Sequence, residues 1–358
     1  MKRPMTRRAF LASSGIALAG VFLGRLMTPA QQAKPIRFSM MPAQDVVPLA
    51  FALEQGIFSK HGVNIELVCG GNAFERNTAF LSGQLDALAV DFTSAVLLLG
   101  RQAPAAIVGT VFEPTPDPRN GNTVVRTVAM LTHKFSSYRS VEDIVKSGPR
   151  RQITLVQPSD MEYLTDTLLQ SKGVRARDVD QYYTGVEDFD RIQLIAQMLG
   201  AGTVSVQVAV LPEPHATLTE VVAQANNIEI ITLSDYKELR FPPSVLLFSR
   251  SVLQERGESV RKFFQALKES VTTLNASTRN FIIDTIIRAG VNICFPELRG
   301  QELKFPDGWR ERLRVPYFPQ PRALRPDEFD AHVNWALGKR YIREKIAFAA
   351  ATDFRFLG

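Results

Sequence analysis

Four acidic residues follow short apolar runs: Asp45 after "IRFSMMPAQ", Asp91 after "LDALAV", Asp160 after "ITLVQPS" and Glu213 after "VQVAVLP". Carboxylates in such turns have two uses. They accept hydrogen bonds from a donor-bearing molecule, or they serve the positive end of a helix that begins nearby. No Lys or Arg occupies the same short turns, so a small anion brought there would meet repulsion.

Side chains suited to turnover are sparse. No GxSxG occurs, and no Ser, His and Asp stand in the local context of a hydrolase triad. His61, His133, His215 and His332 are scattered without HxxxH spacing, and Cys69 and Cys294 form no CxxC. Neither a metal site nor a cofactor is therefore expected. An oxidising compartment would permit a bridge between the two cysteines, but each reads more simply as a small buried apolar residue. The pattern suits recognition and gives no catalytic residue.

These turns must be held by a regular frame. "IRFSMM" precedes the helical pattern "VVPLAFALEQGIFSKHG", for which Asp45 is a plausible cap and Gly56 and Gly62 are stops. "VNIELVCGG", "LDALAVDF" and "PAAIVGTVF" read as strands alternating with the helices "AFERNTAFLSGQ" and "TSAVLLLG". After the break "EPTPDPRNGN" (113–122) the alternation restarts. Strand "VAMLTH" leads to the helix "SVEDIVKSGP", ending at Gly148, then "RQITLVQ" and a helix capped by Ser159. "VDQYYTG", the helix "EDFDRIQLIAQMLGAG", "VSVQVAVLPEP" and "IEIITLSD" complete the set. Beyond "ELRFPPSVLLFSR" come a long helix near 258–288 and another at "PDEFDAHVNWALGKR". Strands alternating with helices predict an α/β fold with mostly parallel sheets covered on both faces. Two such sets predict two lobes joined by crossings near 124–133 and 238–248. The boundaries expected are 34–123 with 245–358 for the first lobe and its C-terminal helices, and 124–244 for the second.

The start of the chain reads as an address. Lys2, Arg3, Arg7 and Arg8 precede a largely apolar run from Ala9 to Gly24, and Thr28 and Ala30 suit a signal-peptidase exit. That run is short for a membrane span, which needs about 20 apolar residues. Residues 1–30 are therefore expected to be an export signal, and "TRRAFL" resembles the twin-arginine type. Of 42 Lys+Arg against 36 Asp+Glu, the leader holds five cations and no acids, which leaves 37 against 36. The basic balance thus owes most to the leader, and no nucleic-acid partner is expected.

The order "PLAFALEQGIFSKHGVNIEL", "LSGQLDALAVDF", "SVEDIVKSGPRRQITLVQPSD" and "VQVAVLPEPHATL" resembles periplasmic substrate-binding proteins of ABC importers. The resemblance is to the family serving nitrate, sulfonates and thiamine-precursor pyrimidines, and it runs from about Ile36 to Thr352. It implies a two-lobed, type II-like fold, a small-molecule ligand, an ABC permease in the inner membrane, a periplasmic location and a monomer. Ligands of open α/β sheets bind beyond the carboxyl ends of the strands. Candidate contacts are therefore Gln44, Asp45, Gly71, Asn72, Asp91, Phe92, Thr93, Ser159, Asp160, Met161, Thr184, Glu213 and His215. Phe92, Tyr182 or Tyr183 would offer a stacking face. Where many relatives carry a glycine-serine style turn, this chain has "SDM", which places Asp160 at a helix start that would otherwise attract an anion.

A donor-rich ligand such as an aminopyrimidine is therefore favoured, with a sulfonate, nitrate or aromatic carboxylate as the alternative. A pyrimidine-synthesising enzyme of the same fold would carry a "CCCFC" stretch, which this chain lacks. A transcriptional effector domain would follow a helix-turn-helix, and only the leader precedes these lobes.

Overall fold

The computed structural model describes residues 34–40, 43–68, 73–146, 152–174, 180–183, 207–291 and 305–358. The leader, Cys69, Cys294, Gly148 and the expected helix "EDFDRIQLIAQMLGAG" lie outside the described residues.

Ten strands among the described residues make two five-stranded sheets. The first contains β1 (Ile36–Met40), β2 (Ile65–Leu67), β3 (Ala87–Val90), β4 (Ala105–Phe112) and β10 (Ser244–Ser249), in the order β2-β1-β3-β10-β4. In the second, β5 (Val128–His133), β6 (Gln152–Leu155), β7 (Asp180–Tyr183), β8 (Val208–Pro212) and β9 (Ile230–Ser234) run in the order β7-β6-β8-β5-β9. The chain thus passes to the second sheet between Phe112 and Val128 and returns between Ser234 and Ser244. Each sheet is parallel except around one crossing strand. β10 lies antiparallel to β3 and β4, and β5 antiparallel to β8 and β9.

Burial explains why these runs are strands. Every residue of β3, β4 and β5 is buried, as expected of strands covered on both faces. On one face of the first sheet, Phe38 and Phe248 pack with Phe263 and Phe264 of the helix Gly257–Ala276. That helix buries Val260, Phe263, Phe264, Leu267, Val271 and Leu274, the spacing of a single helical stripe. On the other face lie the helices Phe92–Gly100 and Pro326–Gly338. In the second sheet, Ile153, Leu155 and Val210 pack against Leu164 and Leu168 of the helix Asp160–Ser171.

Local chemistry breaks two of the expected helices. The run near 258–288 is two helices, Gly257–Ala276 and Arg279–Val291, with Ser277 in extended conformation between them. Ser277 Oγ donates back to the Thr273 carbonyl, and Thr278 Oγ1 accepts from Phe281 N–H, so hydroxyls divert the backbone there. Near the start, Val47–Glu54 ends before Gly56, whose left-handed φ of 65° lets a second turn, Ile57–Lys60, begin. Asp45 does not cap that helix. It lies in a 3-10 turn, Gln44–Val46, and the helix has no side-chain cap.

Candidate functional site

A cavity of about 250 Å³ lies where the carboxyl ends of the two sheets meet. From the first sheet it takes Gln44 and Asp45 after β1, Asp91 after β3 and Phe112 at the end of β4. Ser159, Asp160 and Met161 after β6, with Pro212 and Glu213 at β8, line it from the second sheet. The two crossings contribute Pro114 and Thr127, and Phe241, Pro242 and Ser244. Apart from a few polar groups the walls are apolar, as in small-molecule sites generally.

Each carboxylate is already engaged. Asp91 caps its own helix, accepting from Ser94 N–H at 3.3 Å. Burial, reinforced by the negative charge of Asp160, pushes its carboxyl up to about 7. Asp45 accepts from Ser244 Oγ on β10, and burial raises its carboxyl above the ordinary range despite that bond. Glu213 meets Arg126 at 2.7 Å, with side chains only 0% and 6% exposed, and accepts from Thr217 N–H at 3.1 Å. Asp160 reaches across to the first lobe. It accepts from Phe92 N–H at 3.0 Å, Thr93 N–H at 2.8 Å and Thr93 Oγ1–H at 2.7 Å.

Several polar atoms on the walls are buried without a hydrogen-bond partner among the described residues. Gln44 Oε1, Asp45 Oδ1 and Thr127 Oγ1 are such atoms. Gln44 is held in place because its Nε2 donates to the Arg314 carbonyl at 2.7 Å.

Seven of the thirteen expected contacts, Gln44, Asp45, Asp91, Ser159, Asp160, Met161 and Glu213, line the cavity together. Gly71, Asn72 and Thr184 lie outside the described residues. Phe92, Thr93 and His215 do not line it. Phe92 is fully buried behind the site and packs on Phe329 and His332, so it offers no stacking face to the cavity. Thr93 is fully buried too, its hydroxyl 2.7 Å from His332 Nε2. His215, the first residue of the helix His215–Ala225, is buried. Ser159 does cap its helix as expected, accepting from Glu162 N–H.

Arg76, Thr127, Phe112 and Phe241 are not among the expected contacts. Arg76 belongs to the helix Ala73–Leu81 and brings a buried guanidinium to the wall, where its charge draws the carboxyls of Asp45 and Asp91 downward. The strand-end turns named above hold no cation, but this one arrives from a helix face, where a single buried Arg has no signature in sequence.

The lobes also meet beside the cavity. Glu162 and Asp166, with fully buried side chains, share Lys339 Nζ at 2.7 and 3.0 Å. Tyr341 donates to Glu162 at 2.9 Å and Trp335 Nε1 donates to Asp166 at 2.9 Å. A C-terminal segment packed on the first lobe thereby grips the helix Asp160–Ser171 of the second. Among the described residues, no helix is long and apolar enough to cross a membrane, and no group of three or more His, Cys, Asp or Glu side chains is placed to hold a metal ion.

Two mixed sheets of this order, crossed twice by the chain and enclosing a cavity between their carboxyl ends, define the two-lobed fold of periplasmic binding proteins. Solved structures share it. The alkanesulfonate-binding protein SsuA from Xanthomonas axonopodis pv. citri, bound to MOPS, is 16% identical with a TM-score of 0.66, over 90% of this chain and 99% of that one. The periplasmic aliphatic sulphonate binding protein SsuA from Escherichia coli is 14% identical with a TM-score of 0.66, over 89% and 92% of the two chains. A mutant of DszB in complex with biphenyl-2-sulfinic acid is also similar, at 14% identity and a TM-score of 0.57, over 90% and 97%. No curated protein sequence matches the chain. The NMT1-like family model matches residues 30–285, and the chain belongs to that family.

Proposed function

We propose that the protein is the extracytoplasmic solute-binding component of an ABC importer, and that its cargo is a small organic molecule rich in hydrogen-bond donors. An aminopyrimidine of the thiamine-precursor type is the favoured example. The observation that carries this reading is the pair of buried acceptors on the cavity wall, Gln44 Oε1 and Asp45 Oδ1, which have no hydrogen-bond partner among the described residues. A buried polar atom left unmet costs about 1–3 kcal/mol. A ligand donating to these atoms recovers that cost, and one carrying only acceptors does not. At about 250 Å³ the cavity suits a molecule of roughly one ring, with Phe112 and Phe241 as apolar walls.

In this reading the segments 34–123 with 245–358, and 124–244, move as two bodies about the crossings. Ligand touching both favours the closed form. The closed lobes present a surface to the permease, and no bond is made or broken. The leader delivers a monomer to the periplasm by the twin-arginine route. Arg76 favours a second reading, in which an anion such as an alkyl sulfonate pairs with its guanidinium.

A thermal-shift panel separates the two, with aminopyrimidines and small amines in one arm and taurine, alkyl sulfonates, nitrate and aromatic carboxylates in the other. At 100 times its dissociation constant a ligand stabilises by about 2.7 kcal/mol, or on the order of 5–10 °C for domains of this size. The donor-rich reading expects that shift in the first arm and its loss in Asp45→Asn. Stabilisation by anions alone contradicts it.

A further inference from the structure

We propose that Asp160 is a specificity-determining residue that acts as a built-in anion: its carboxylate, carried by the second lobe, occupies the start of the helix Phe92–Gly100 in the first and thereby keeps anionic solutes out of the cavity. The inference rests on the solute-binding reading and adds which charge class the site refuses, and by what means.

A helix leaves its first four backbone N–H groups without intrahelical partners, and their dipoles favour negative charge. In Phe92–Gly100 three of the four are taken by carboxylates. Ser94 N–H goes to Asp91, while Phe92 N–H and Thr93 N–H go to Asp160. Thr93 Oγ1 adds a third bond to Asp160 at 2.7 Å, and His332 Nε2 lies 3.4 Å from the same oxygen. Asp160 is thus bonded across the cleft as an anionic head group would be. It comes from the cavity wall itself, beside Ser159 and Met161.

Two consequences follow. Donors that would otherwise attract a sulfonate or carboxylate are spent, and a second anion placed beside the Asp160 carboxylate in a water-poor cavity is repelled. Closure also needs no anionic ligand as a bridge, because the second lobe supplies its own. What remains for cargo is the apolar space, the unpartnered acceptors Gln44 Oε1 and Asp45 Oδ1, the Thr127 hydroxyl and the Arg76 guanidinium, whose charge already acts on Asp45 and Asp91.

The test titrates methanesulfonate and sulfate, against chloride at matched ionic strength, into wild type, Asp160→Ala and Asp160→Asn, read by calorimetry and thermal shift. Wild type is expected to bind neither probe, and Asp160→Ala to bind at least one of them tenfold or more tightly than wild type. Asp160→Asn, which keeps the side-chain volume and removes the charge, should also gain; it carries the test if the Ala variant folds poorly. Equal binding by wild type and variants, or no gain in either, overturns the proposal. Failure of the solute-binding reading is seen separately, as wild type that no donor-bearing molecule stabilises, whatever the Asp160 variants do with anions.

Discussion

Replacing Lys339 with Met should loosen the grip between the lobes while leaving each lobe folded. The Lys339 ammonium sits 2.7 Å from Glu162 and 3.0 Å from Asp166, whose side chains are fully buried. Removing one partner of a buried pair costs about 3–5 kcal/mol, because a charge is left uncompensated. Here the lower end applies. Lys339 is itself 21% exposed, and Gln157, Tyr341 and Trp335 still donate to the two carboxylates. About 3 kcal/mol is a shift of roughly 100-fold in an equilibrium. It falls on the closed arrangement, since opening the cleft would rehydrate Glu162 and Asp166. Small-angle scattering of ligand-free protein should therefore show a larger radius of gyration for Lys339→Met than for wild type. The dependence on pH has a definite sign. Although burial opposes its charge, the bonds to Glu162 and Asp166 raise the Lys339 pKa above its ordinary 10.5. Its contribution is then fully present below 10.5 and fades as pH rises beyond the folded value, so the two proteins should converge only in strong alkali. Identical scattering, with melting temperatures within about 1 °C, would refute the reasoning.

Two further perturbations act on the cavity wall. Arg126→Met leaves Glu213, whose side chain is 0% exposed, with only the Thr217 N–H and Arg314 at 3.6 Å; a loss of about 3 kcal/mol should lower the melting temperature by on the order of 10 °C, and a change under about 2 °C in calorimetry would speak against a structural role for the pair. Asp91, held at about 7 against an ordinary 3.8, favours the protonated folded form, so stability should fall as pH rises from about 4 to about 7. Urea unfolding at several pH values should show a steeper slope in wild type than in Asp91→Asn, where the raised Asp45 carboxyl still contributes in the same direction. By the same linkage, a donor-bearing ligand should bind more tightly as pH rises through 7, whereas an anion would bind more weakly.

The inner strands are legible because they are buried on both faces. β4 and β5 read as continuous apolar runs, and the break at "EPTPDPRNGN" is a turn in which Gly121 and Asn122 take positive φ. The strand-end rule places Gln44, Asp45, Asp91, Ser159, Asp160, Met161 and Glu213 around one cavity. Contacts between distant segments are not legible. Asp45 reads as a cap from its place before a helix, but Ser244, 199 residues away, takes its carboxylate. Asp160 stands at the start of its own helix and instead serves that of Phe92–Gly100, 67 residues away. Arg76 and Lys339 give no signal because an isolated cation on a helix face or just past a helix end looks the same whether it meets water or a buried carboxylate.

If this cavity holds a donor-rich small molecule, the protein should carry it through purification. Native mass spectrometry of protein purified from its own host tests it most directly, with the released compound identified after denaturation. One retained molecule of about single-ring size is expected, bearing N–H or O–H donors and no sulfonate, sulfate or nitrate group, its occupancy lost in Asp45→Asn. Retention of an anionic compound by wild type, with occupancy unchanged in Asp45→Asn, would contradict it.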